Sequence, residues 1–209
     1  MKIPTLAGLI DRRILVNYRV DPERLAKILP SPFEPQLVAG WGVAGICLIR
    51  LKRVRPRWVP PFVGLASENA AHRIAVEWTA PDGSRQSGVY IPRRDTSSFL
   101  NHLVGGRLFP GVHHHARFDV RESGRDYRIA VQSRDGQTRV FVEGHVADEL
   151  PSDSIFASLD ATSRFFECGS LGYSPCAKPG VFDGLELRTH DWNVRPLAVT
   201  RVESSFFDD

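Results

Sequence analysis

Apolar and polar residues alternate along much of this chain, and such alternation is typical of β-strands that bury one face. The clearest example lies at 127–133, where Tyr127, Ile129 and Val131 occupy every second position between polar or small residues. A period of two places these three side chains on the same side of a sheet. Further strands are predicted at 12–20, 36–55, 68–79, 88–91, 116–121, 138–146, 185–190 and 197–204.

Three helices are predicted between these strands. The first begins after Asp21, which supplies an N-cap, and the second ends before Gly105. The third covers 153–167 and has the clearest apolar stripe, behind a cap at Ser152 or Asp153.

The order of these elements predicts an α+β fold. Antiparallel connections dominate, helices are few, and strands and helices do not alternate regularly. We expect residues 1–209 to form one domain, built as a large curled antiparallel sheet or barrel with peripheral helices.

The composition is that of a globular protein with one core. Of the 209 residues, 42% are hydrophobic and 24% are charged, which allows one substantial core without a second domain. The uncharged stretch 37–49 is broken by glycines and is shorter than the roughly 20 residues that span a bilayer. The N-terminus lacks the long apolar segment of a signal peptide. We therefore expect a cytoplasmic protein with no membrane partner.

The cysteines and charges narrow the range of partners. Cys47, Cys168 and Cys176 lack the paired spacing of a zinc site, so reduced thiols are expected. The net charge is +3, and basic residues are densest at 50–57. This stretch lacks the interleaved aromatic residues of a nucleic-acid-binding surface, and we predict no nucleic-acid partner.

A run of three histidines resembles part of a metal site. On a strand, His113 and His115 point to one face and His114 to the other, which is a spacing suited to two metal ligands. A third ligand would have to come from elsewhere in the fold, so exposed or hydrogen-bonded histidines are the preferred interpretation and no metal is predicted. No phosphate-binding loop or dinucleotide glycine pattern occurs, and no cofactor is predicted.

Five segments carry a resemblance to known proteins: 13–30, Ala66-Ser67-Glu68-Asn69, Pro92-Arg93-Arg94, 165–175 and 185–192. The first three are similar, in the same order, to the acetoacetate decarboxylase-like superfamily. They correspond there to an opening strand and helix, a pocket glutamate segment and a Pro-Lys-Lys motif. The last two segments look more like the related uncharacterised DUF2071 family.

The resemblance implies a cone-shaped antiparallel barrel that holds a small acidic or ketonic ligand. It also implies a carboxylate-binding arginine, pocket glutamates and a nucleophilic lysine. Position by position, Glu68 falls on the pocket glutamate, and Arg93 and Arg94 fall on the lysine pair. The family's arginine falls on Asp11, and Arg13 is the nearest substitute on the same strand face.

Arginine cannot perform the chemistry of the lysine that it replaces. A lysine with a lowered pKa attacks a ketone and forms an imine, whereas a guanidinium stays protonated and binds carboxylates. We therefore predict that Arg93 or Arg94 holds a carboxylate or enolate, while Glu68 moves a proton. Tyr90 is a further ligand-binding candidate, although aromatic residues on alternating strands usually belong to the core.

The predicted function is binding of a small organic (keto) acid in a barrel cavity, either by a lyase-like enzyme without an imine or by a binding protein. The alternative is a non-catalytic ligand-binding or structural protein whose cavity is plugged by side chains. A pair between Glu68 and Arg94 would satisfy the pocket internally. Related decarboxylases form oligomers, so a homo-oligomer is a further expectation, but the sequence does not fix its stoichiometry.

Overall fold

The protein is described here by a computed structural model that covers residues 5–105, 111–176 and 180–207. These residues form twelve strands, three α-helices and one short 3-10 helix at Pro61–Val63. The strands are β1 (Leu6–Val20), β2 (Glu34–Pro35), β3 (Leu37–Val38), β4 (Trp41–Pro56), β5 (Leu65–Thr79), β6 (Arg85–Thr96), β7 (His113–Ser123), β8 (Asp126–Ser133), β9 (Arg139–Val146), β10 (Leu171–Pro175), β11 (Phe182–Glu186) and β12 (Leu197–Ser204). The helices are α1 (Pro22–Ile28), α2 (Phe99–Val104) and α3 (Leu159–Cys168).

The main sheet has the strand order β1-β4-β5-β6-β7-β8-β9-β12. Most neighbours are antiparallel, but β7 runs parallel to the end of β6, and β10 runs parallel to the middle of β6. The parallel pair β6–β7 requires a long connection, and the segment between Thr96 and His113, which contains α2, is long enough. The predicted α+β class and the curled sheet with peripheral helices are confirmed. The sheet is mixed and open, because β1 and β12 are its two ends.

The sheet curls around one apolar core. Ten buried side chains from β1, β4, β5, β7, β8 and β9 meet in a single cluster, among them Ile14, Leu48 and Ile129. Strands far apart in the sheet order can touch only if the sheet bends back on itself, so this cluster defines the inner face. Leu197 and Val202 of β12 and Tyr18 of β1 pack against the same core, which brings the two open ends close together.

The outer face is covered by α3 and the chain that follows it. Val43 and Ala75 of the sheet pack with Phe166 of α3, and Trp192 lies against the same cluster. A separate aromatic group closes one end of the inner face under α1, where Phe33 contacts Tyr90, Trp78, Tyr173 and Phe182. Both faces of the central strands are therefore covered.

Helix α3 is shorter than the sequence pattern predicts. It starts at Leu159 rather than near 153, because the Ser158 hydroxyl accepts the backbone N–H of Ala161 and caps the helix there. The chain just before this cap packs on the helix instead of continuing it, since the ring of Phe156 lies 5.2 Å from that of Phe165. Among the described residues, none of the helices has the length and apolar character needed to span a bilayer.

Candidate functional site

Arg93 and Arg94 point to opposite faces of the sheet, as consecutive residues on a strand must. Arg93 is on the inner face and is only 7% exposed. Its guanidinium donates to both carboxylate oxygens of Asp95, at 2.9 and 3.1 Å, to Asp135 at 2.9 Å and to Gln137 at 3.0 Å. Asp95 is fully buried. Arg93 is thus held in a satisfied ion-pair network.

The surroundings of Asp135 in this network favour its ionised form. Burial raises its pKa, but hydrogen bonds from the Ser133 hydroxyl, the Gln137 backbone N–H and Arg93 outweigh burial and hold the pKa of Asp135 well below its ordinary value. His114 Nδ1 also lies 2.9 Å from this carboxylate. Asp135 therefore stays ionised at neutral pH and fixes the β8–β9 turn to β6, whereas burial raises the pKa of Asp95.

Arg94, on the outer face, is paired much less completely. Its Nε donates to the Ser174 hydroxyl at 2.9 Å, and its buried Nη2 has no hydrogen-bond partner among the described residues. Burial lowers the pKa of Arg94 to about 10, opposed by Cys47 and Asp183. Arg94 therefore remains charged at neutral pH with N–H groups still available.

Glycine makes room for this side chain. A Cβ at Gly111 would lie 3.2 Å from Arg94 Nε and 2.8 Å from Ser174 Cβ, and the φ of Gly111 is +78°. Both facts favour glycine there, because a side chain would crowd the guanidinium and the backbone lies in the left-handed region.

Arg73 is a second buried cation on the outer face. It lies on β5, is 5% exposed, and its guanidinium stacks 4.7 Å from the centre of the Phe166 ring. It donates to the Asn17 side-chain oxygen, while its buried Nε has no partner in the described part of the chain. Burial lowers the pKa of Arg73 to about 10, Cys47 opposes the decrease, and the charge of Arg13 adds to it.

Arg13 is the third member of this group. Its guanidinium lies 5.4 Å from the centre of the Trp192 ring, and its buried Nε likewise has no partner among the described residues. We refer to Arg13, Arg73, Arg94 and the buried thiol of Cys47 as the arginine cluster. Within the ranges that the structure describes, no carboxylate forms an ion pair with any of its three arginines.

The strand register explains how the cluster assembles. Cys47 on β4 pairs with Ala71 on β5, and Ala71 pairs with Arg94 on β6. In this row of the sheet, the small side chain of Ala71 is therefore the one between Cys47 and Arg94. In the next row, Gly45 lies between Asn17 on β1 and Arg73 on β5. Because Gly45 has no side chain, Arg73 can cross β4 and reach Asn17.

A cleft of about 960 Å³ opens beside the cluster, between β1, α3 and the chain that leads into β12. Arg13, Asn17, Phe166 and Trp192 are among its lining residues. Since Arg73 contacts Asn17 and Phe166, it lies directly behind this lining. The cleft thus gives a small molecule access to Arg13, whereas Arg73 lies behind the lining and Arg94 is not among the lining residues.

Glu68 lies in a different cluster. It accepts from Arg12 Nη2 and from Arg50 Nε, each at 2.5 Å, and both arginines also reach Glu122. These residues lie at the end of the inner core, so the structure does not bring Glu68 together with Arg94. The internal Glu68–Arg94 pair does not form.

Tyr90 is packed into the aromatic group at the end of the inner face. Its ring lies 5.7 Å from that of Phe33 and 6.0 Å from that of Phe182, and burial raises its pKa. Like Arg93 and Glu68, Tyr90 is separate from the arginine cluster. Of the sequence-predicted site residues, Arg13 and Arg94 belong to the arginine cluster, although β4 and β5 separate their strands and no direct contact joins them among the described residues.

The histidines make local contacts. His113 Nδ1 lies 3.0 Å from the Gly111 carbonyl oxygen, and burial together with the charge of Arg94 lowers the pKa of His113 to about 4. His102 Nδ1 lies 2.6 Å from the His113 carbonyl oxygen, and its ring stacks on that of His115. In the described residues, no three histidine, cysteine or carboxylate groups are arranged to hold a metal ion.

Sequence reasoning did not identify Arg73 or Cys47. A signal for Arg73 was available, because this arginine stands inside the strongly apolar strand segment 70–76. A charged residue in a strand that is covered on both faces needs a partner or a ligand. Cys47 gave no such signal, since thiols are common in cores.

Comparisons with known proteins agree with this architecture. A profile of the DUF2071 family, described as an uncharacterized conserved protein, matches residues 10–207. No curated protein matches the chain. Among solved structures, acetoacetate decarboxylase from Legionella pneumophila superposes with a TM-score of 0.53 at 16% identity, over 92% of this chain and 65% of that one.

Two further structures are similar in fold. The acetoacetate decarboxylase-like enzyme from Sphingomonas wittichii has a TM-score of 0.52 at 12% identity, over 91% of this chain and 77% of that one. The enduracididine biosynthesis enzyme MppR, complexed with pyruvate, has a TM-score of 0.51 at 13% identity, over 98% of this chain and 88% of that one. This chain thus spans less than two thirds of the Legionella enzyme, and identities this low establish the fold alone. The chain belongs to the DUF2071 family and has the fold of acetoacetate decarboxylase-like proteins.

Proposed function

We propose that this protein binds a small organic acid, whose carboxylate is held by the arginine cluster beside the α3 cleft. The observation that carries the proposal is the set of three arginines, each with a buried N–H that has no partner among the described residues. Small-acid binding was also predicted from the sequence, at a site built from Arg13, Glu68, Tyr90, Arg93 and Arg94. The geometry favours Arg94 with Arg13 and Arg73.

Without a ligand, the buried charges of the arginine cluster destabilise the protein. Burying a charged group without a counter-ion costs several kcal/mol even after relaxation and water penetration. A carboxylate that accepts charge-assisted hydrogen bonds from these guanidinium groups would offset this cost. Arg93, in contrast, already has Asp95 and Asp135 as counter-ions and offers little to a ligand.

The similar structures support an acid as the ligand. MppR carries pyruvate, a keto acid, in its complex, and the Legionella protein is an acetoacetate decarboxylase. Both ligands are small carboxylates. A carboxylate of this size fits easily in a cleft of about 960 Å³.

We infer that binding does not involve an imine. Of the lysines in the described residues, Lys27 is exposed on α1, and Lys52 lies 2.9 Å from Asp11. If turnover occurs, His113 is the imidazole beside Arg94, in place of Glu68, and it is a weak base there because burial lowers its pKa to about 4.

Calorimetric titration with pyruvate and acetoacetate tests the proposal. We expect saturable binding that Arg13→Met weakens by about 10-fold or more, since Arg13 lines the cleft and a hydrogen bond to a charged group contributes about 1.5–3 kcal/mol. Arg117→Met is the matched control, because Arg117 is an exposed arginine on β7. Absence of binding by the wild type, or an equal loss in the control, would refute the proposal. Borohydride treatment with acetoacetate should leave every lysine unmodified.

A structural protein without a ligand is the second candidate, and one observation favours it. The inner face, where a barrel would hold its ligand, is filled by apolar side chains, with Phe207 packed against them. In that case a thermal-shift screen of small carboxylates would leave the unfolding temperature unchanged. The same screen should raise it if the arginine cluster binds acids.

A further inference from the structure

Three buried side chains on the inner face carry polar atoms without a hydrogen-bond partner among the described residues. These atoms are both ring nitrogens of His72, the Oγ1 of Thr138 and the Oγ of Ser204. His72 and Thr138 are 0% exposed, and Ser204 is 2% exposed. A buried polar atom without a partner costs free energy, so such a group of atoms marks a place where a hydrogen-bonding molecule would be stabilised. We refer to these three side chains as the polar socket.

The strand register brings the polar socket together. Ser204 on β12 pairs with Val140 on β9, a residue of the inner core. Thr138 lies two positions before Val140 and therefore points to the same face. The backbone hydrogen bonds between the two chain segments continue past this pair, so the same register places Thr138 opposite Phe206. The ring of Phe206 lies 4.4 Å from that of His72, and Phe206 is thus the residue at which the three side chains meet.

Phe206 covers the polar socket with an apolar ring. The planes of the Phe206 and His72 rings differ by only 32°, so the imidazole N–H, which lies in the plane of its ring, does not point at the face of Phe206. Phe207 packs against two apolar clusters of the inner face, whereas Phe206 belongs to none of the clusters that the described residues form. Phe206 is also partly exposed. Its ring therefore separates the socket from solvent and contributes little to the core.

The charges nearby determine which molecules the polar socket accepts. Arg93, which pairs with His72 in the strand register, already forms ion pairs with Asp95 and Asp135. An anion therefore finds no unpaired cation beside His72, and a cation is repelled by Arg93. Burial and the charge of Arg93 lower the pKa of His72 to about 4, so its ring is neutral at pH 7 and offers one donor and one acceptor. With its two hydroxyl groups, the socket is uncharged and can both donate and accept hydrogen bonds.

We propose that the polar socket binds a small uncharged molecule with donor and acceptor groups, such as an amide, and that Phe206 is the gate through which this molecule enters. Rotation of the Phe206 side chain to another staggered rotamer opens the gate and leaves Phe207 in place. The bound molecule supplies the hydrogen bonds that the Phe206 ring cannot. This site is separate from the arginine cluster and does not rest on the proposed binding of an acid.

Three probes of similar shape and different charge test the inference on the full chain at pH 7: acetamide, acetate and acetamidinium. The side-chain ¹⁵N signals of His72, assigned with His72→Leu, report binding. We expect acetamide to shift these signals saturably, with a dissociation constant of about millimolar order, because so small a molecule makes few contacts. Acetate and acetamidinium should bind at least about 10-fold more weakly, because burying an unpaired charge is unfavourable.

Thr138→Val tests the contribution of the polar socket. The change removes one hydroxyl group and keeps the shape of the side chain, and it should weaken acetamide binding about 5-fold through the loss of one hydrogen bond. Thr79→Val is the matched control, since Thr79 is exposed at the end of β5, and it should leave the affinity unchanged. An unchanged affinity in Thr138→Val would place the bound acetamide outside the socket and overturn the inference.

Phe206→Ala tests the gate. The variant lacks the ring that competes with the ligand, so acetamide should bind at least about threefold more tightly than to the wild type. Phe62→Ala truncates a phenylalanine that is 87% exposed and should not change the affinity. Circular dichroism checks that each variant is folded.

The remaining outcomes are equally decisive. If acetate shifts the His72 signals as strongly as acetamide does, the socket does not select uncharged molecules and the inference is wrong. If acetamide binds to Phe206→Ala but not to the wild type, the ring is a permanent wall and not a gate. If it binds to neither protein, the socket holds water only. Arg13→Met should leave acetamide binding unchanged, so this inference and the proposed acid binding can fail independently.

Discussion

Two adjacent arginines of this protein differ in their surroundings, because Arg93 forms ion pairs and Arg94 forms none with the described residues. Arg93 is paired with Asp95 and Asp135 on the inner face, whereas on the outer face the Arg94 guanidinium donates to Ser174 and, within the described ranges, to no other residue. The sequence motif Pro92-Arg93-Arg94 makes them look equivalent. Their surroundings, and not their residue type, determine which one can bind a ligand.

The pair Arg93→Met and Arg94→Met tests this difference in stability. Arg93→Met should lower the free energy of unfolding by about 3–5 kcal/mol, because it leaves the buried Asp95 without its partner. Arg94→Met should leave it unchanged or raise it by about 1–2 kcal/mol, because an apolar side chain replaces a poorly paired buried charge. Urea unfolding measures both values. Equal destabilisation by the two changes would contradict the assignment.

Burial of His72 disfavours its protonated form. It is fully buried, its two ring nitrogens have no partner among the described residues, and it lies 4.4 Å from the Phe206 ring. Burial, together with the charge of Arg93, lowers its pKa to about 4 from the ordinary value of 6.5. Below pH 6.5, His72 becomes protonated in the unfolded chain, whereas in the folded chain it stays neutral until the pH falls to about 4. This difference lowers stability as the pH falls through that window.

His72→Leu should therefore reduce the acid sensitivity of the fold. Between pH 7 and pH 5 the wild type should lose about 1–2 kcal/mol more unfolding free energy than the variant, as the linkage between pKa and stability requires. Urea unfolding at the two pH values provides the comparison. The idea fails if wild type and variant lose the same amount. His113, whose pKa is also lowered, acts in both proteins and cancels in this comparison.

At the scale of elements, α3 and β6 position the arginine cluster. The alternation of β6 sends Arg94 outward, and α3 supplies Phe166, on which Arg73 stacks. The Ser158 cap sets where α3 begins, and Phe156 packs back onto the helix. The stability of this short helix therefore contributes to the geometry of the site.

Ser158→Ala tests this dependence. We expect the free energy of unfolding to fall by about 1 kcal/mol, because the N–H of Ala161 loses its acceptor. Urea unfolding measures the change, and pyruvate affinity should fall with it. Ser152→Ala is the control, since Ser152 precedes the helix as an exposed residue. An effect of equal size at Ser152 would show that the helix is not capped at Ser158.

At the scale of the whole molecule, the main structural feature is a sheet that curls without closing. Residues after β12 bridge the two open ends, since the Phe207 ring lies 5.5 Å from Tyr18 of β1 and 5.6 Å from His72 of β5. Phe207 packs against both inner clusters. Side-chain packing by Phe207 thus joins the two ends of the open sheet, where a closed barrel would have backbone hydrogen bonds between strands.

Phe207→Ala should destabilise the molecule by about 2 kcal/mol, less than the loss of a fully buried phenylalanine because Phe207 is partly exposed. Phe62→Ala is the matched control, with 87% of Phe62 exposed, and should change stability by no more than about 0.5 kcal/mol. Chemical unfolding of both variants measures the difference. Equal effects would contradict the bridging role of Phe207.

The sequence by itself determined the α+β class, most of the strands and the absence of an imine-forming lysine at the Pro-Arg-Arg motif. These conclusions depend on local properties, namely the alternation of side chains, turn residues and residue chemistry. The opposite orientations of Arg93 and Arg94 were not predicted, because the predicted strand ended at residue 91 and the structure extends β6 to Thr96. The order of motifs indicated the family.

Only the tertiary structure decided which charged residues meet. Three sets of contacts join residues that are far apart in the sequence. Arg93 pairs with Asp135, and Glu68 pairs with Arg12 and Arg50. The third set is the arginine cluster. Strand order and register create these contacts, and a single sequence does not encode register in a readable form. The sequence therefore specified the types of side chain available to a ligand. Strand order and register determined which of the arginines form no ion pair with the described residues.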